Sequence, residues 1–111
     1  MEVSLKEFEK LDLRVGLVKS CERIKKSKHL YKLMVDCGEK KLRQILTGIS
    51  QFYTSEDLIN KKIVVLTNIK VRKIMGIESQ GMLLAADLNN EPFLLEVDEK
   101  RGEIPPGTKI K

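Results

Sequence analysis

Thr54-Ser55-Glu56-Asp57-Leu58-Ile59-Asn60, running straight into Lys61-Lys62-Ile63-Val64-Val65-Leu66-Thr67, is the stretch around which the chain organises itself. Thr54 can cap a helix, Glu56 and Asp57 sit well beside its positive start, and Asn60 can take the left-handed conformation that stops it. This predicts a helix of about two turns. The run Ile63-Val64-Val65-Leu66 then predicts a strand over Lys62 to Thr67 that is buried on both faces.

Upstream, Tyr31, Leu33, Val35 and Cys37 alternate with Lys32, Met34 and Asp36, and Gly38-Glu39 turns the chain into Lys41 to Thr47. That pattern predicts a hairpin, with Lys32 and Asp36 directed away from Leu33 and Val35 toward solvent or a ligand. Leu11, Leu13, Val15 and Leu17 keep the period of an earlier strand, and Val18 breaks phase just after Gly16, so a bulge or bend is expected at Gly16. Ser4-Leu5-Lys6-Glu7 fits a capping box, with Val3 and Phe8 at the staple positions, and predicts a short helix from Leu5 to about Lys10. Its stripe of Leu5, Phe8 and Leu11 either seals one end of the domain or meets a second subunit.

Downstream, strands are expected over Gly81 to Leu88 and Phe93 to Val97, joined by Asn89-Asn90-Glu91-Pro92, with Pro105-Pro106-Gly107 turning the chain into Thr108 to Ile110. Five or six strands with a short helix after the third match a five-stranded Greek-key barrel of the OB-fold type, all-β apart from that helix and the amino-terminal one. With 111 residues and no linker, repeat or low-complexity segment, residues 1–111 are expected to form one domain.

Composition excludes several function classes. The longest apolar run, Met82 to Ala86, is far too short to span a membrane, and the start Met1-Glu2-Val3-Ser4-Leu5-Lys6-Glu7 lacks the features of a signal peptide. A cytoplasmic location is expected. Cys21 and Cys37 are the only cysteines and read as buried thiols in a reducing compartment. One histidine, His29, and no Cys-x-x-Cys pair leave too few ligands for a metal, and nothing pairs a nucleophile with a base. Neither cofactor nor catalysis is expected.

The net charge of +5 hides a polarity: from Lys19 to Arg43 nine basic residues stand against three acidic ones, and from Lys61 to Lys73 five stand against none. Two basic stretches separated by neutral or acidic sequence suggest a one-sided positive surface for a polyanion. With no Trp and only Phe8, Phe52, Phe93, Tyr31 and Tyr53, the chain is poorly equipped to stack a row of unpaired bases. Recognition of folded RNA through its backbone and 2′-hydroxyls fits this composition better.

Several spaced strings then become informative together: Leu11-Asp12-Leu13-Arg14-Val15-Gly16, Leu30-Tyr31-Lys32-Leu33, Arg43-Gln44-Ile45, Gly48-Ile49, and Asn68 through Arg72-Lys73 to Ser79-Gln80-Gly81-Met82. From about Phe8 to Ile110 the chain resembles the tRNA-binding domain family. That family includes the carboxy-terminal domain or beta subunit of methionyl-tRNA synthetase, free-standing dimeric tRNA-binding proteins and the endothelial-monocyte-activating polypeptide type of module. Departures are local: Lys28 stands where relatives often carry an acid, Ser55 and Val71 where they carry proline, and Asn60 where they carry glycine. The resemblance implies structure-directed tRNA binding by a symmetric homodimer, possible assistance to a methionyl-tRNA synthetase catalytic subunit, and helical and terminal segments at the dimer contact.

Carried over position by position, Ser79 and Met82 match family positions tied to tRNA contact, with Asn68, Arg72 and Lys73 in the basic region beside them. Charge and strand alternation add Lys32 and Arg43 as phosphate contacts and Gln44 as a polar one, while Ser79, Gln80 and Asn68 can offer neutral hydrogen bonds. Met82 can pack on a base or ribose, or simply belong to the core. Ser79-Gln80-Gly81 can be a contact or only a turn. A second reading is a protein-interaction module like the secretion chaperones of the same family. Lys25-Lys26-Ser27-Lys28 faintly resembles an ATP loop of class I synthetases, but no Gly-rich phosphate loop or doubly wound domain accompanies it.

Overall fold

In the computed structural model, which describes residues 1–111, two short helices and nine strands follow one another. Helix α1 (Leu5–Phe8) leads into the long strand β1 (Leu13–Arg23), then β2 (Tyr31–Asp36), β3 (Arg43–Thr47), α2 (Ser55–Leu58) and β4 (Lys62–Leu66). The rest of the chain is cut into shorter pieces: β5 (Arg72–Ile74), β6 (Ile77–Ser79), β7 (Met82–Leu83), β8 (Ala85–Leu88) and β9 (Glu91–Leu94). The main sheet is antiparallel in the order β3-β2-β1-β4-β7, and it curls into a nearly closed barrel of the OB type.

Strand β1 holds the barrel together because it serves two neighbours. Its first half, Leu13 to Leu17, pairs with β4, and its second half, Leu17 to Arg23, pairs with β2. The bend between the halves is a register shift between Val18 and Ser20, so the bulge lies at Lys19 and not at Gly16 as expected. Gly16 has a different duty: a Cβ there would stand 2.7 Å from Val35 Cγ1 and 2.8 Å from Val65 Cγ2. It is glycine because the barrel wall folds on itself there. Val18 shares this inner face with Leu33, Val35, Ile45, Ile63 and Val65, all fully buried. Leu13 and Val15 face the other way, where the tail pairs with them: Val15 N–H donates to Thr108 O at 3.0 Å and Ile110 N–H to Leu13 O at 2.9 Å.

Both helix caps form. Ser4 Oγ accepts from Glu7 N–H at 3.1 Å while Glu7 Oε1 accepts from Ser4 N–H at 3.0 Å. Thr54 and Asp57 exchange the same two bonds at 3.2 and 3.0 Å, and Asn60 stops α2 at φ 70°. The two helices differ in what they bury. Leu58 of α2 is fully enclosed with Tyr31 and Ile49, worth about 1.5–3 kcal/mol for such a side chain, whereas α1 buries nothing. Both helices are shorter than expected: α1 ends at Phe8, and α2, Ser55–Leu58, makes about one turn instead of two.

Two further expectations change. The strand expected over Gly81 to Leu88 breaks into β7 and β8 at Leu84, and its partner begins at Glu91, so the connecting turn is only Asn89-Asn90. Both asparagines have positive φ, 52° and 67°, which a two-residue type I′ loop requires and which asparagine tolerates. The hairpin β5–β6 has no counterpart among the expected strands. Of the two cysteines Cys37 is buried and Cys21 only half-buried; burial pushes both thiols up to about 11, which keeps them protonated and weakly nucleophilic at neutral pH.

Candidate nucleic-acid interface

The barrel closes where β3 meets the chain from Glu78 to Met82, and most of the expected contact residues lie at or beside this seam. A closed barrel needs its edge strand hydrogen-bonded, but here side chains supply much of the ladder. Gln80 N–H donates to Gln44 O at 2.7 Å, while Gln44 N–H donates to the side-chain oxygen of Gln80 at 3.0 Å. Gln44 Nε2 donates to Glu78 O at 2.8 Å. Leu46 N–H donates to the hydroxyl of Ser79 at 3.0 Å, and that hydroxyl lies 3.3 Å from Gly81 O. Gly81 allows the approach, since a Cβ would stand 3.2 Å from Ile45 Cδ1 and 3.3 Å from Leu66 O.

Arg43 ties the same seam from its end. Its Nε and Nη2 grip Glu39 at 2.7 and 2.9 Å, and its Nη1 donates to Gln80 O at 2.6 Å and Thr67 O at 3.0 Å. The forked pair raises the pKa of Arg43 and lowers that of Glu39, each chiefly through the hydrogen bond to the other. Asn68 clamps a different junction: Asp12 N–H donates to its oxygen at 2.8 Å, and its amide donates to Lys10 O at 2.7 Å.

Of the nine expected contact residues, Arg43, Gln44, Ser79 and Gln80 are thus brought together as a hydrogen-bonded seam, with Ser79 fully buried. Met82 follows in β7, half-buried and paired with Leu66. Lys32 lies on the outer face of β2, where it meets Glu22 at 3.2 Å. Asn68 stands apart, holding the connection between α1 and β1. Arg72 and Lys73 are exposed on β5, opposite Ser79 and Glu78 of β6, and form no ion pair.

The seam therefore carries an arm, the β5–β6 hairpin, whose inner strand is pinned at Ser79. Lys70, exposed and unpaired just before the arm, extends its positive edge and was not singled out from sequence, although it lies in the same basic stretch. Beneath the arm a groove of about 330 Å³ is lined by Glu39, Lys41, Leu42, Arg43, Val71 and Gln80. Leu42 and Val71 are exposed apolar walls that periodicity could not single out. Unpaired cations over a partly apolar groove can neutralise phosphates and cover a sugar or base edge.

A model of the family described as "Putative tRNA binding domain" matches residues 13–109. The chain belongs to the tRNA-binding domain family. Among curated relatives, methionine–tRNA ligase of Archaeoglobus fulgidus is 46% identical over 109 residues, covering 98% of this chain and 16% of the ligase. Methionine–tRNA ligase of Thermotoga maritima is 46% identical over 108 residues, 97% of this chain and 16% of the ligase. The chain thus spans about one sixth of the length of these relatives. Among solved structures, a MetRS related protein from Pyrococcus horikoshii superposes with TM-score 0.88 at 40% identity over 100% of both chains. The chaperone CsaA from Bacillus anthracis superposes with TM-score 0.85 at 29% identity, again over 100% of both. Both superpositions run over the full length of this chain.

Proposed function

We propose that this chain is a non-catalytic module that binds tRNA by shape, with Arg72 and Lys73 on the β5–β6 arm and Lys70 just before it as its principal phosphate contacts. The observation that carries this reading is the placement of free cations at the seam: Arg72 and Lys73 on the arm and Lys70 just before it are exposed and unpaired beside Val71, a wall of the groove, whereas Arg14, Lys32, Arg43, Lys61, Lys62 and Lys109 are committed to carboxylates. Arg43, Gln44, Ser79 and Gln80 act mainly by positioning the arm, Asn68 by fixing the β1 entry, and Lys32 and Met82 flank the contact surface. No helix is long and apolar enough to cross a membrane, and we place the protein in the cytoplasm, where its relatives' aminoacylation reaction suggests that it raises the tRNA affinity of a methionyl-tRNA synthetase.

A symmetric homodimer belongs to this reading. Leu5, Phe8, Leu11 and Ile110 line an open cleft of about 380 Å³ around α1, a helix that buries nothing in its own chain. A second copy placed over this cleft would give α1 the apolar partner it lacks. Phe8→Glu is expected to shift sedimentation toward the monomer while circular dichroism stays that of a folded barrel.

A filter-binding titration with total tRNA, an unmodified tRNA transcript and a single-stranded RNA of equal length, at two salt concentrations, tests the reading. Both tRNA forms are expected to bind more tightly than the single strand, and affinity to fall as salt rises. Equal binding of all three would reduce the site to a nonspecific basic surface. The CsaA likeness and the exposed side chains of Phe52, Leu88 and Phe93 favour a second reading, capture of unfolded polypeptide. Binding of a denatured protein without tRNA binding would put that reading first.

A further inference from the structure

The tip of the β5–β6 arm carries a conformational cost that the barrel does not need. Ile74 pairs with Ile77, so the loop between them is the two residues Met75-Gly76, and both have positive φ, 54° and 79°. Such loops favour Asn-Gly, Asp-Gly or Gly-Gly. The chain's other two-residue loop uses asparagine, which tolerates this conformation, at both Asn89 and Asn90, and its α2 stop uses Asn60. At the arm's tip the same left-handed conformation is imposed on methionine, whose Cβ clashes there and whose side chain cannot bond to its own backbone as asparagine can.

That side chain takes no part in the hydrophobic core, and about half of it, 53%, is exposed. It is a large, polarisable apolar group at the end of an arm that carries the unpaired Arg72 and Lys73 against one acid, Glu78, with the unpaired Lys70 and the exposed Val71 just before it, so that the cations outnumber the acid three to one. The surrounding positive charge selects a polyanion as the partner. Within folded RNA, the surface that an apolar tip can cover is the flat face of a base, either splayed from its stack or left open at a helix end.

Resting on the tRNA-binding reading above, we infer that Met75 is a tRNA-contact residue that packs its thioether on an exposed base face while the cations behind it hold the phosphates. The arm then combines two physically separable contributions. Those from Arg72 and Lys73 release counterions and weaken with salt; that from Met75 is apolar and displaces none.

The test uses the full chain with Met75→Asn and Met75→Leu, in thermal denaturation and in titration against a tRNA transcript at two salt concentrations. Met75→Asn gives the loop its preferred residue, so the melting temperature is expected to hold or rise while tRNA affinity falls about five- to tenfold, by the same factor at both salts. Met75→Leu keeps an apolar side chain and is expected to retain affinity within about twofold. Wild-type binding with unchanged Met75→Asn affinity overturns this inference alone. Failure of the wild type to bind tRNA overturns it together with the reading on which it rests, and a loss that Met75→Leu shares in full overturns the apolar contact.

Discussion

Two hairpins leave the barrel through the same kind of loop. Ile74 faces Ile77 across Met75-Gly76, Leu88 faces Glu91 across Asn89-Asn90, and all four loop residues have positive φ. Their chemistry is opposite. The first hairpin carries Arg72 and Lys73, preceded by Lys70, all exposed and unpaired; the second carries Asp87 and Glu91 beside the exposed apolar side chains of Leu88 and Phe93. Their anchors differ as well. The first is pinned by a fully buried hydroxyl, Ser79, and the second by the hydroxyl of Tyr53, which accepts from Leu94 N–H at 3.0 Å. Backbone geometry sets where an arm reaches, and the side chains along it set what it can hold.

The sharpest way to break the comparison is to remove the charges from each hairpin in turn. Arg72→Ala with Lys73→Ala is expected to weaken tRNA binding by about a hundredfold or more, since each charge-assisted hydrogen bond contributes about 1.5–3 kcal/mol. The plot of log affinity against log salt should flatten by about 0.7–0.9 per lost phosphate contact. Asp87→Asn with Glu91→Gln should leave affinity within about twofold. Comparable losses from the two pairs would show that binding follows net charge and not the position of the arm.

The anchors come next in size. Ser79→Ala leaves the N–H of the buried Leu46 without a partner, at a cost of about 1–3 kcal/mol in denaturant-melting experiments, and it frees the inner strand of the arm, so tRNA affinity should fall with stability. Tyr53→Phe releases the N–H of Leu94, which is only half-buried and can turn to water; about 1 kcal/mol or less is expected, with no change in tRNA affinity. A loss of tRNA affinity in Tyr53→Phe would join the two hairpins into one functional unit.

This contrast also marks where the sequence was legible. The α2 stretch declares itself because every signal in it is local: Thr54 and Asp57 are three residues apart, and Asn60 stops the helix in place. The β2–β3 hairpin is legible for the same reason, since alternation over several residues survives in a single strand. Ser79 is different. Its decisive partner, Leu46, lies 33 residues away, and a short polar run reads equally well as a turn or a contact until the barrel closes. The arm was missed because strands of three residues carry no period and Met75-Gly76 is an unusual loop pair. Gly16 gave a real signal with two meanings, a bulge or a close approach, and only the packing against Val35 and Val65 separates them.

The smallest expected effect concerns how the arm is rooted. Thr67 and Asn68, just before it, are held by Asp12: Thr67 Oγ1 donates to Asp12 Oδ2 at 2.9 Å, and Asp12 N–H donates to Asn68. Lys109 at 2.9 Å contributes most to holding the Asp12 carboxyl down to about 2, with Arg14 at 2.7 Å and Thr67 adding to it against the effect of burial. The folded-state pKa is depressed, so its stabilisation is complete above the ordinary value of 3.8 and is lost as pH falls toward 2. The carboxylate is partly exposed, so solvent screens much of the interaction and the effect is modest. Asp12→Asn should melt below the wild type near neutral pH, and the gap should narrow between about pH 4 and pH 2 as the wild type loses the same charge. The β8–β9 hairpin hangs from the neutral hydroxyl of Tyr53, so Tyr53→Phe should show no such narrowing. A gap for Asp12→Asn that stays constant down to pH 2 would mean that the arm is rooted by the neutral bonds of Thr67 and Asn68 alone, and the two hairpins would then differ in their partners but not in how acid loosens them.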